Sequence, residues 1–489
     1  MTAQTEQYDP SLYNADLAPT ASAERTWRWL HIAALWFSMV VCVPSYMLAS
    51  GMIAQGMSSA QAILTVLLGN VVVLLPMLVV GHAGARYGVP FPVLLRASFG
   101  TIGARVPALL RGLVGCGWFG IQAWIGGAAV YSALVILIGP GLGGPDLPGL
   151  GINLGQMLCF LAFWGLHVWF IWHGTEAIRR LETWAAPVLL ALALALFGWG
   201  LHVGGGLGPV LAAGDRLSGE GAFAAVFWPS LTAVVGYWAT MALNIADFTR
   251  FARSQRDQLV GQAVGLPVPM GLFGLIGVSV TGASLLVYGE AIWDPVALTQ
   301  RMGGTAVLIG MVALAIATLT TNIAANVVAP ANGFCNLAPG RLSFRAAGLV
   351  TALLGIVIMP WRLVEDVGDY VFVWLVGYSS LLGPIAGIMI VDYLLVRRGR
   401  MDTQALFARD GAYSYRGGWN PAAFLALGLG VLPNLPGFLH AIKVWPGAPA
   451  AAVGLYSYAW FIGFAVSAVV YGLLQAGAGR LRPVLKPAS

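Results

Sequence analysis

The sequence predicts an all-α polytopic membrane protein with twelve transmembrane helices, and three observations lead to this fold class. The 489 residues are 58% hydrophobic and only 9% charged, with a mean hydropathy of +0.81. Apolar stretches long enough to cross a bilayer, about 20 residues, recur along the whole chain. If these stretches are twelve spans, all but four of the 25 Lys and Arg residues share one side of the membrane, the exceptions being Arg216, Arg301, Arg362 and Lys443.

The basic residues define the order and the orientation of the spans. The predicted spans are 28–52, 58–82, 105–138, 153–173, 184–203, 223–248, 261–288, 304–331, 345–361, 370–393, 421–440 and 453–476. A basic segment precedes the first span and follows every even-numbered one, including Arg179 and Arg180 after the fourth and Arg480, Arg482 and Lys486 at the end. Because Lys and Arg concentrate in cytoplasmic loops, both chain ends are predicted to be cytoplasmic.

The polar segments add little beyond this. Residues 1–27 are predicted to form a cytoplasmic tail, disordered over its first 25 residues, and residues 477–489 a second cytoplasmic tail. The basic residues flank apolar spans and form no run of their own, which argues against nucleic-acid binding. No nucleotide-binding or catalytic motif is present, so the sequence predicts neither an ATP-driven pump nor an enzyme.

The span count suggests an internal repeat. Ten spans divide into five at 28–203 and five at 204–393, followed by a loop and two additional helices at 394–476. Because five is odd, the two halves have opposite orientations, as in inverted-repeat transporters whose first helix of each half is broken. Pro44 and Gly236 mark possible breaks in spans one and six. The alternative for each is an ordinary kink, which membrane helices tolerate.

Span eight carries hydroxyl groups that suit a hard cation. Thr318, Thr320 and Thr321 lie within four consecutive positions. The alternative is that each Thr bonds back to the carbonyl four residues earlier. If Thr320 and Thr321 face an unwound part of span one, the carbonyls of Ser38 and Val41 can complete a sodium site.

Amides and tryptophans supply candidate ligand-binding groups. Asn322 and Asn326 are four residues apart on span eight and share one helix face, which suits either a ligand contact or hydrogen bonding between helices. Trp118 and Gln122 have the same spacing on span three, where the alternative is an interfacial aromatic belt. An indole face stacks on a flat ring, and an amide matches the donor and acceptor edge of a cyclic amide.

The charges near these groups favour a neutral ligand. Trp238 follows the possible break at Gly236, and no intramembrane Lys or Arg is expected to face the pocket. Asp247 and Asp392 are predicted to form surface ion pairs at the cytoplasmic ends of their spans. No acidic residue lies near mid-membrane, and His167 has no sequence partner that suggests a relay. The pattern favours a small neutral planar heterocycle.

Several longer segments carry a family resemblance. The segments are Gly81–Gly84 with Tyr87–Pro92, Asn244–Phe251, Gly289–Asp294, Ala324–Pro330, and Gly383–Gly387 leading to Asp392 and Tyr393. With these segments the chain resembles the nucleobase:cation symporter-1 family over nearly its whole length, and several of them look closer to bacterial allantoin permeases than to the hydantoin transporter. The resemblance implies a leucine-transporter-like fold and uptake of allantoin, uracil, cytosine or hydantoins.

The resemblance also implies roles for individual residues. Trp118 and Trp238 match the residues that sandwich the substrate ring, Gln122 and Asn326 match its amide partners, and the backbone near Gly236 and Tyr237 matches a further contact. The sodium ligands correspond to Ser38, Val41, Ala317, Thr320 and Thr321, with carbonyls from the first three. One departure is Cys42, which stands where the family has an amide, and a thiol is a poorer hydrogen-bonding group.

Sodium symport by a monomer in the bacterial cytoplasmic membrane is therefore the expected activity, with a small heterocycle, sodium and the lipid bilayer as partners and no other cofactor. A proton-coupled permease or a uniporter for the same substrates is the alternative within this class. A channel is the alternative from another class, but the chain lacks a repeated selectivity filter.

Overall fold

The computed structural model describes residues 8–173, 190–302, 304–365 and 369–479, and these residues are almost entirely helical. Nine helical segments in these ranges are long and apolar enough to cross a membrane. A tenth span consists of two helices that meet at a bend of 59°. Two shorter apolar helices, Leu190–Val203 and Phe344–Val357, lie at predicted spans five and nine. The predicted fold class is confirmed, and twelve spans are consistent with these segments.

The helices of the amino-terminal part follow the predicted spans closely. They are α1 (Trp29–Val40), α2 (Val43–Ala54), α3 (Ser59–Tyr87), α4 (Phe91–Phe99), α5 (Arg105–Ile138), α6 (Leu154–His173) and α7 (Leu190–Val203). Part of predicted span five, with the preceding Arg179 and Arg180, lies outside the described residues, as do residues 1–7 and the carboxyl-terminal Arg480, Arg482 and Lys486.

The remaining helices include the other spans and several short connecting helices. They are α8 (Leu207–Ala212), α9 (Ala222–Asn244), α10 (Ala246–Thr249), α11 (Gln255–Gly265), α12 (Pro267–Tyr288), α13 (Pro295–Met302), α14 (Gly304–Asn326), α15 (Val328–Leu337), α16 (Phe344–Val357), α17 (Val376–Val391), α18 (Pro421–Val431), α19 (Leu435–Ala441), α20 (Ala450–Tyr456) and α21 (Ala459–Gly477). Turns of π-helix, Asp369–Leu375 and Asp392–Val396, extend α17 at both ends.

Local sequence signals explain where several helices begin and end. The hydroxyl of Ser58 accepts a hydrogen bond from the Gln61 amide, and the Gln61 side chain accepts one from the Ser58 amide, so a capping box begins α3. The same helix ends at Gly88, whose φ of +70° is a conformation that glycine adopts without strain. The hydroxyls of Ser254 and Ser343 cap α11 and α16 by accepting hydrogen bonds from the amides of Asp257 and Ala346.

Helix α5 lies at the centre of the bundle. It packs against α6, α14, α15 and α16, whereas α9 packs against α3 and α17, and α2 packs against α12. Polar groups on α5, α9 and α14 are therefore held inside the protein and away from lipid, where ligand sites of helical transporters are built.

The amino-terminal segment is ordered from residue 8, so the prediction of a disordered tail is wrong for that part. Leu12 and Leu17 are buried, and the Asn14 amide donates to the Pro339 carbonyl at 2.8 Å. Asp9 forms an ion pair with Arg409 at 3.3 Å. Hydrogen bonds from Ser11 lower the pKa of the Asp9 carboxyl group. Two buried leucines and these long-range contacts explain why a mostly polar segment packs against the loops.

The two carboxylates predicted to form surface ion pairs are both buried. Asp392 does pair with Arg397 at 2.6 Å, but its side chain is 2% exposed and also accepts hydrogen bonds from Tyr471 and Ser98. Asp247 accepts a hydrogen bond from the Phe91 amide at 2.9 Å. The surface interpretation was wrong because polar groups from distant segments converge on each carboxylate and offset its desolvation.

Candidate functional site

Span one is broken close to the predicted place. Helix α1 ends at Val40 and α2 begins at Val43, with Pro44 in the first turn of the second helix. The Cys42 amide donates to the Val40 carbonyl at 2.7 Å, although an uninterrupted helix would pair it with Ser38. The break therefore frees the Ser38 carbonyl from its helical partner, and the carbonyl of Val41 lies between the two helices.

One of the two span-eight hydroxyls reaches this break. Thr321 on α14 donates a hydrogen bond to the Val41 carbonyl at 3.4 Å. Thr320 bonds back to the carbonyls of Ile316 and Ala317, both at 3.1 Å, as the alternative interpretation of the Thr cluster expected. A hydroxyl oxygen still has lone pairs when its hydrogen is donated, so both groups retain acceptor capacity.

A cavity lies beside the break. It measures about 320 Å³. Val41, Cys42 and Ala317 line one part of it, and mostly apolar side chains of α7 and α12, such as Trp199 and Phe273, line another. The cavity adjoins the predicted cation residues. Trp118, Gln122 and Asn326 do not line it, so the aromatic cluster forms a separate part of the site.

An aromatic cluster surrounds Trp118. The rings of Tyr237, Trp374, Tyr370 and Tyr378 approach it edge to face, with centroid distances of 5.2, 5.7, 6.3 and 6.3 Å. Trp118 is only 4% exposed, whereas the tryptophans of an interfacial belt face the lipid headgroups, so the belt interpretation does not fit.

Trp238 joins this cluster through Tyr237. The rings of Tyr237 and Trp238 are 4.8 Å apart, and Trp238 also meets Trp36 at 5.1 Å. Among the described side chains, no direct ring contact joins Trp118 to Trp238. The structure therefore brings both predicted tryptophans to one aromatic cluster, with Tyr237 as the ring that contacts each of them.

Several polar atoms of this cluster are buried without a partner. The Oε1 atom of Gln122, the indole N–H groups of Trp238 and Trp374, and the Tyr370 hydroxyl make no hydrogen bond within the described structure. Most buried polar groups in proteins are paired, and an unpaired one costs about 1–3 kcal/mol. Donor atoms are thus available on the rings of the cluster, and an acceptor atom on Gln122, one helical turn after Trp118.

Cys42 belongs to a small hydrogen-bonded group across the break. Its sulfur lies 3.2 Å from the Ser45 hydroxyl and 3.2 Å from the Tyr237 hydroxyl, and those two hydroxyls are 3.0 Å apart. The thiol therefore links spans one and six. Sequence reasoning assigned only the backbone of Tyr237, although a tyrosine in a long apolar run, immediately before Trp238, is a signal for a buried phenol.

The break predicted at Gly236 is wrong. Helix α9 is continuous from Ala222 to Asn244, so the backbone at this position stays in the helical hydrogen-bond ladder. A Cβ atom at Gly236 would overlap the Ser379 hydroxyl and lie 2.9 Å from the Leu375 carbonyl oxygen. The glycine therefore allows α9 and α17 to approach each other closely. Its lack of a side chain suits this packing role as well as it would suit a helix break.

Asn326 and Asn322 form a chain of amide hydrogen bonds. The Nδ2 group of Asn326 donates to Oδ1 of Asn322 at 3.0 Å, and Nδ2 of Asn322 donates to the Phe119 carbonyl at 2.9 Å. The Nε2 atom of His167 lies 3.1 Å from the same Asn322 group. Asn322 thus connects helices, as one interpretation of the pair predicted, and sequence reasoning missed His167 because its partner is 155 residues away.

The sequence of residues 19–463 matches a family described as permeases for cytosine and purines, uracil, thiamine and allantoin. The chain belongs to this permease family. A purine-uracil permease of Arabidopsis thaliana is 43% identical over 486 residues, which cover 99% of this chain and 81% of the relative. The allantoin permease of Bacillus subtilis is 36% identical over 480 residues, which cover 96% and 95% of the two chains.

Solved structures of the transporter Mhp1 resemble this chain over nearly its whole length. Its inward-facing conformation is 26% identical with a TM-score of 0.77, covering 97% of this chain and 99% of Mhp1. A closed conformation of Mhp1, described as a nucleobase-cation-symport-1 family transporter with bromovinylhydantoin bound, is 27% identical with a TM-score of 0.75 and covers 98% of each chain. The family resemblance and the leucine-transporter-like fold are confirmed, and the protein is a multi-pass membrane transporter rather than an enzyme.

Proposed function

We propose that this permease takes up a neutral, flat heterocycle of the nucleobase, allantoin or hydantoin type together with sodium. The observation that carries the proposal is the set of unpartnered buried polar atoms on the rings of the aromatic cluster and on Gln122, one helical turn after Trp118 on α5. Relatives named for purine and uracil, and for allantoin, support the same substrate class. A hydantoin bound to Mhp1 supports it as well.

The aromatic cluster is the proposed substrate site. Trp118 and Trp238 supply indole faces for stacking on the ring, and Gln122 and Asn326 supply amide groups for its polar edge. Tyr237 contributes its hydroxyl rather than freed backbone, because α9 is continuous there.

Two further residues shape the same site. Gly236 permits the close approach of α17, which carries Tyr378 and follows the π-helical turns with Tyr370 and Trp374. Cys42 holds Tyr237 across the break in span one at 3.2 Å. Since thiols bond weakly, we assign Cys42 a role in positioning Tyr237 and expect the amides to provide most of the directional contacts.

The broken span one is the proposed sodium site. The carbonyls of Ser38, Val41 and Ala317 and the hydroxyls of Thr320 and Thr321 are all oxygen donors, which hard cations prefer. The carboxyl end of α1 points its negative partial charge at the break and favours a cation there. The Thr321–Val41 contact at 3.4 Å supports the pairing of α14 with this break.

We infer that sodium binding and substrate binding are coupled because the two proposed sites share the same helices. Val41 and Cys42 are neighbours in the break, so a sodium ion at Val41 and a substrate near Cys42 both depend on how α1, α9 and α14 meet. A ligand shifts the balance between outward-open and inward-open states only by its different affinity for them. We infer that sodium stabilises the outward-open state and that the substrate then completes closure.

The charge bias also supports an orientation. Arg and Lys residues predominate on one side of the predicted spans, which supports a cytoplasmic position for both chain ends. The allantoin permease of Bacillus subtilis is covered over 95% of its length, which supports a bacterial cytoplasmic membrane as the location. The site is built within a single chain, so the protein is proposed to work as a monomer.

Uptake into proteoliposomes tests the substrate site directly. We expect Trp118→Ala and Asn326→Ala to reduce uptake of uracil, allantoin or hydantoin about 10-fold or more, because stacking and buried hydrogen bonds are each worth about 1–3 kcal/mol. Trp228→Ala is the matched control, since Trp228 is 37% exposed on α9, the helix that carries Trp238.

The control separates site effects from general loss of aromatic packing. Both site variants must also retain the melting temperature of the native protein to within a few degrees. Normal uptake by folded Trp118→Ala and Asn326→Ala proteins would contradict the proposed substrate site.

A further inference from the structure

The side chain of Asn322 lies between a backbone carbonyl of α5 and the imidazole ring of His167. Its Nδ2 group faces the Phe119 carbonyl at 2.9 Å and the His167 ring at 3.1 Å. A carbonyl oxygen only accepts hydrogen bonds, so the amide nitrogen, not the amide oxygen, must point to Phe119. The orientation of Asn322 is therefore set by the backbone of α5 rather than by a choice between two equivalent amide positions.

The His167 ring is oriented by a backbone carbonyl in the same way. Its Nδ1 atom lies 2.9 Å from the Phe163 carbonyl and must carry the hydrogen of a neutral imidazole. The Nε2 atom is then an acceptor, which matches the second N–H of Asn322 at 3.1 Å. The aromatic rings of Phe119 and Phe163 pack against the imidazole at 5.2 and 4.9 Å. The hydrogen bonds of His167 and Asn322 are thus satisfied together by one tautomer of the ring and one orientation of the amide.

This arrangement determines the orientation of Asn326. With both N–H groups of Asn322 occupied, only its Oδ1 atom remains, and that atom must accept a hydrogen bond. Asn326 meets it with Nδ2 at 3.0 Å. The Oδ1 atom of Asn326 therefore points away from Asn322, and it accepts no hydrogen bond in the described parts of the chain. The second N–H of the Asn326 amide is not used by this bond either.

The free oxygen lies at the level of the aromatic cluster. Helices α5 and α14 run antiparallel, since Gly126 lies beside Thr318 and Phe119 bonds to Asn322. Gly115, about one turn before Phe119 on α5, packs against Pro330, about two turns after Asn322. Asn326 falls between these levels, opposite the part of α5 that carries Trp118.

We propose that Asn322 and His167 are positioning residues that fix which way round the substrate meets the Asn326 amide, with Oδ1 at a set position as the acceptor and the second N–H beside it. The permease therefore prefers a ring that offers an N–H group to Oδ1 over a ring of the same size that offers an acceptor at that position. The inference rests on the proposed function, because it assigns the edge chemistry of that same site. The unpartnered Oε1 atom of Gln122 is a second acceptor in this site.

Uracil and cytosine provide the matched probe pair. The rings have nearly the same size, but N3 is a donor in uracil and an acceptor in cytosine. Affinities of the full-length purified protein for both bases are measured in the native protein and in Asn322→Leu, His167→Leu and His167→Gln variants. For a protein that binds a hydantoin or allantoin instead, the free ring is compared with its mono-N-methyl derivatives.

The native protein is expected to favour uracil over cytosine, or the free ring over the methyl derivative that blocks this N–H, by about 10-fold or more. Equal affinities or a preference for cytosine would overturn the proposal. Asn322→Leu should lower this preference about 10-fold, since Asn326 is then free to rotate, and His167→Leu should lower it less because Phe119 still holds Asn322. His167→Gln keeps one acceptor and one donor and should preserve the preference. A merely structural role would change stability or both affinities equally and would leave the ratio unchanged.

The outcomes separate this inference from the proposed function. If the native protein binds no nucleobase, allantoin or hydantoin, the proposed function fails and this inference fails with it. If the native protein binds them and discriminates, but Asn322→Leu and His167→Leu leave the ratio unchanged, only the positioning role is overturned. His167→Leu keeps the test decisive if Asn322→Leu does not fold.

Discussion

Spans one and six are counterparts in the predicted repeat, yet they are built differently. Span one breaks between Val40 and Val43 with a bend of 59°. Span six remains a continuous helix through Gly236. The comparison shows that a glycine in a predicted span does not by itself break the helix, whereas the proline of its counterpart lies at a real break.

The difference follows from what each residue contacts. Pro44 lies in the first turn of α2, where a missing amide hydrogen costs nothing because that amide has no helical partner. Gly236 lies in mid-helix and faces Ser379 and the Leu375 carbonyl of the neighbouring element. A glycine that serves close packing keeps its helical hydrogen bonds, whereas a proline at a helix start marks a real break. The asymmetry leaves a freed carbonyl at the break in span one, where the proposed cation site is completed by α14 of the other half.

The largest expected effect comes from filling the contact at Gly236. Gly236→Ala should destabilise the protein by about 1–3 kcal/mol through overpacking and abolish uptake. The Ser379 hydroxyl cannot easily move away, because it donates to the Leu375 carbonyl at 2.5 Å. The melting temperature of the purified protein, measured together with uptake, checks this expectation.

Two controls sharpen the comparison between the spans. Gly274→Ala changes another buried helical glycine, but its Cβ atom would make only ordinary contacts of 3.7 and 4.0 Å with Val66, so stability should be retained. Pro44→Ala in span one should preserve folding, because the bend is also held by the Cys42–Val40 hydrogen bond. A fully stable and active Gly236→Ala protein would show that the close approach of α9 to α17 is not required.

A smaller and more selective effect is expected at the sodium site. Thr321→Val removes the hydroxyl that reaches Val41 while keeping the shape of the side chain. We expect apparent sodium affinity to fall about 10-fold, because one oxygen ligand is lost, while the protein remains folded. Substrate binding titrated against sodium concentration measures this change.

Thr318→Val is the matched control for this variant. Thr318 is buried on the same helix, but among the described residues its hydroxyl bonds only to the carbonyls of Leu314 and Ala315. Its replacement should leave sodium dependence intact. Equal loss of sodium dependence in Thr318→Val and Thr321→Val would indicate general disruption of α14 and not the loss of a ligand.

Much of the fold was predictable because hydropathy and charge report directly on membrane insertion. Predicted span 105–138 coincides with helix α5, and the predicted span 58–82 starts one residue before α3. The break in span one was also predictable, since Pro44 acts through local backbone chemistry. These features depend on the residues themselves and on the bilayer, and need no knowledge of distant contacts.

The candidate site was predictable only in part. Trp118, Gln122, Trp238 and Asn326 carried recognisable chemistry, but the rings of Tyr370 and Trp374 were missed because they lie about 250 residues further along the chain. The same limit applies to the ordered amino-terminal segment. Contacts that depend on packing between distant segments leave no local pattern in a single sequence.

The most direct test of the central claim is thermal unfolding of the purified protein against uracil, cytosine, allantoin, hydantoin and thiamine, each with sodium and with choline in its place. A ligand that binds the folded state raises the melting temperature by mass action. The account predicts a shift for at least one nucleobase, allantoin or hydantoin that increases in sodium and is lost in Trp118→Ala. A shift of equal size in choline would contradict sodium coupling, and no shift for any compound would contradict the proposed substrate site.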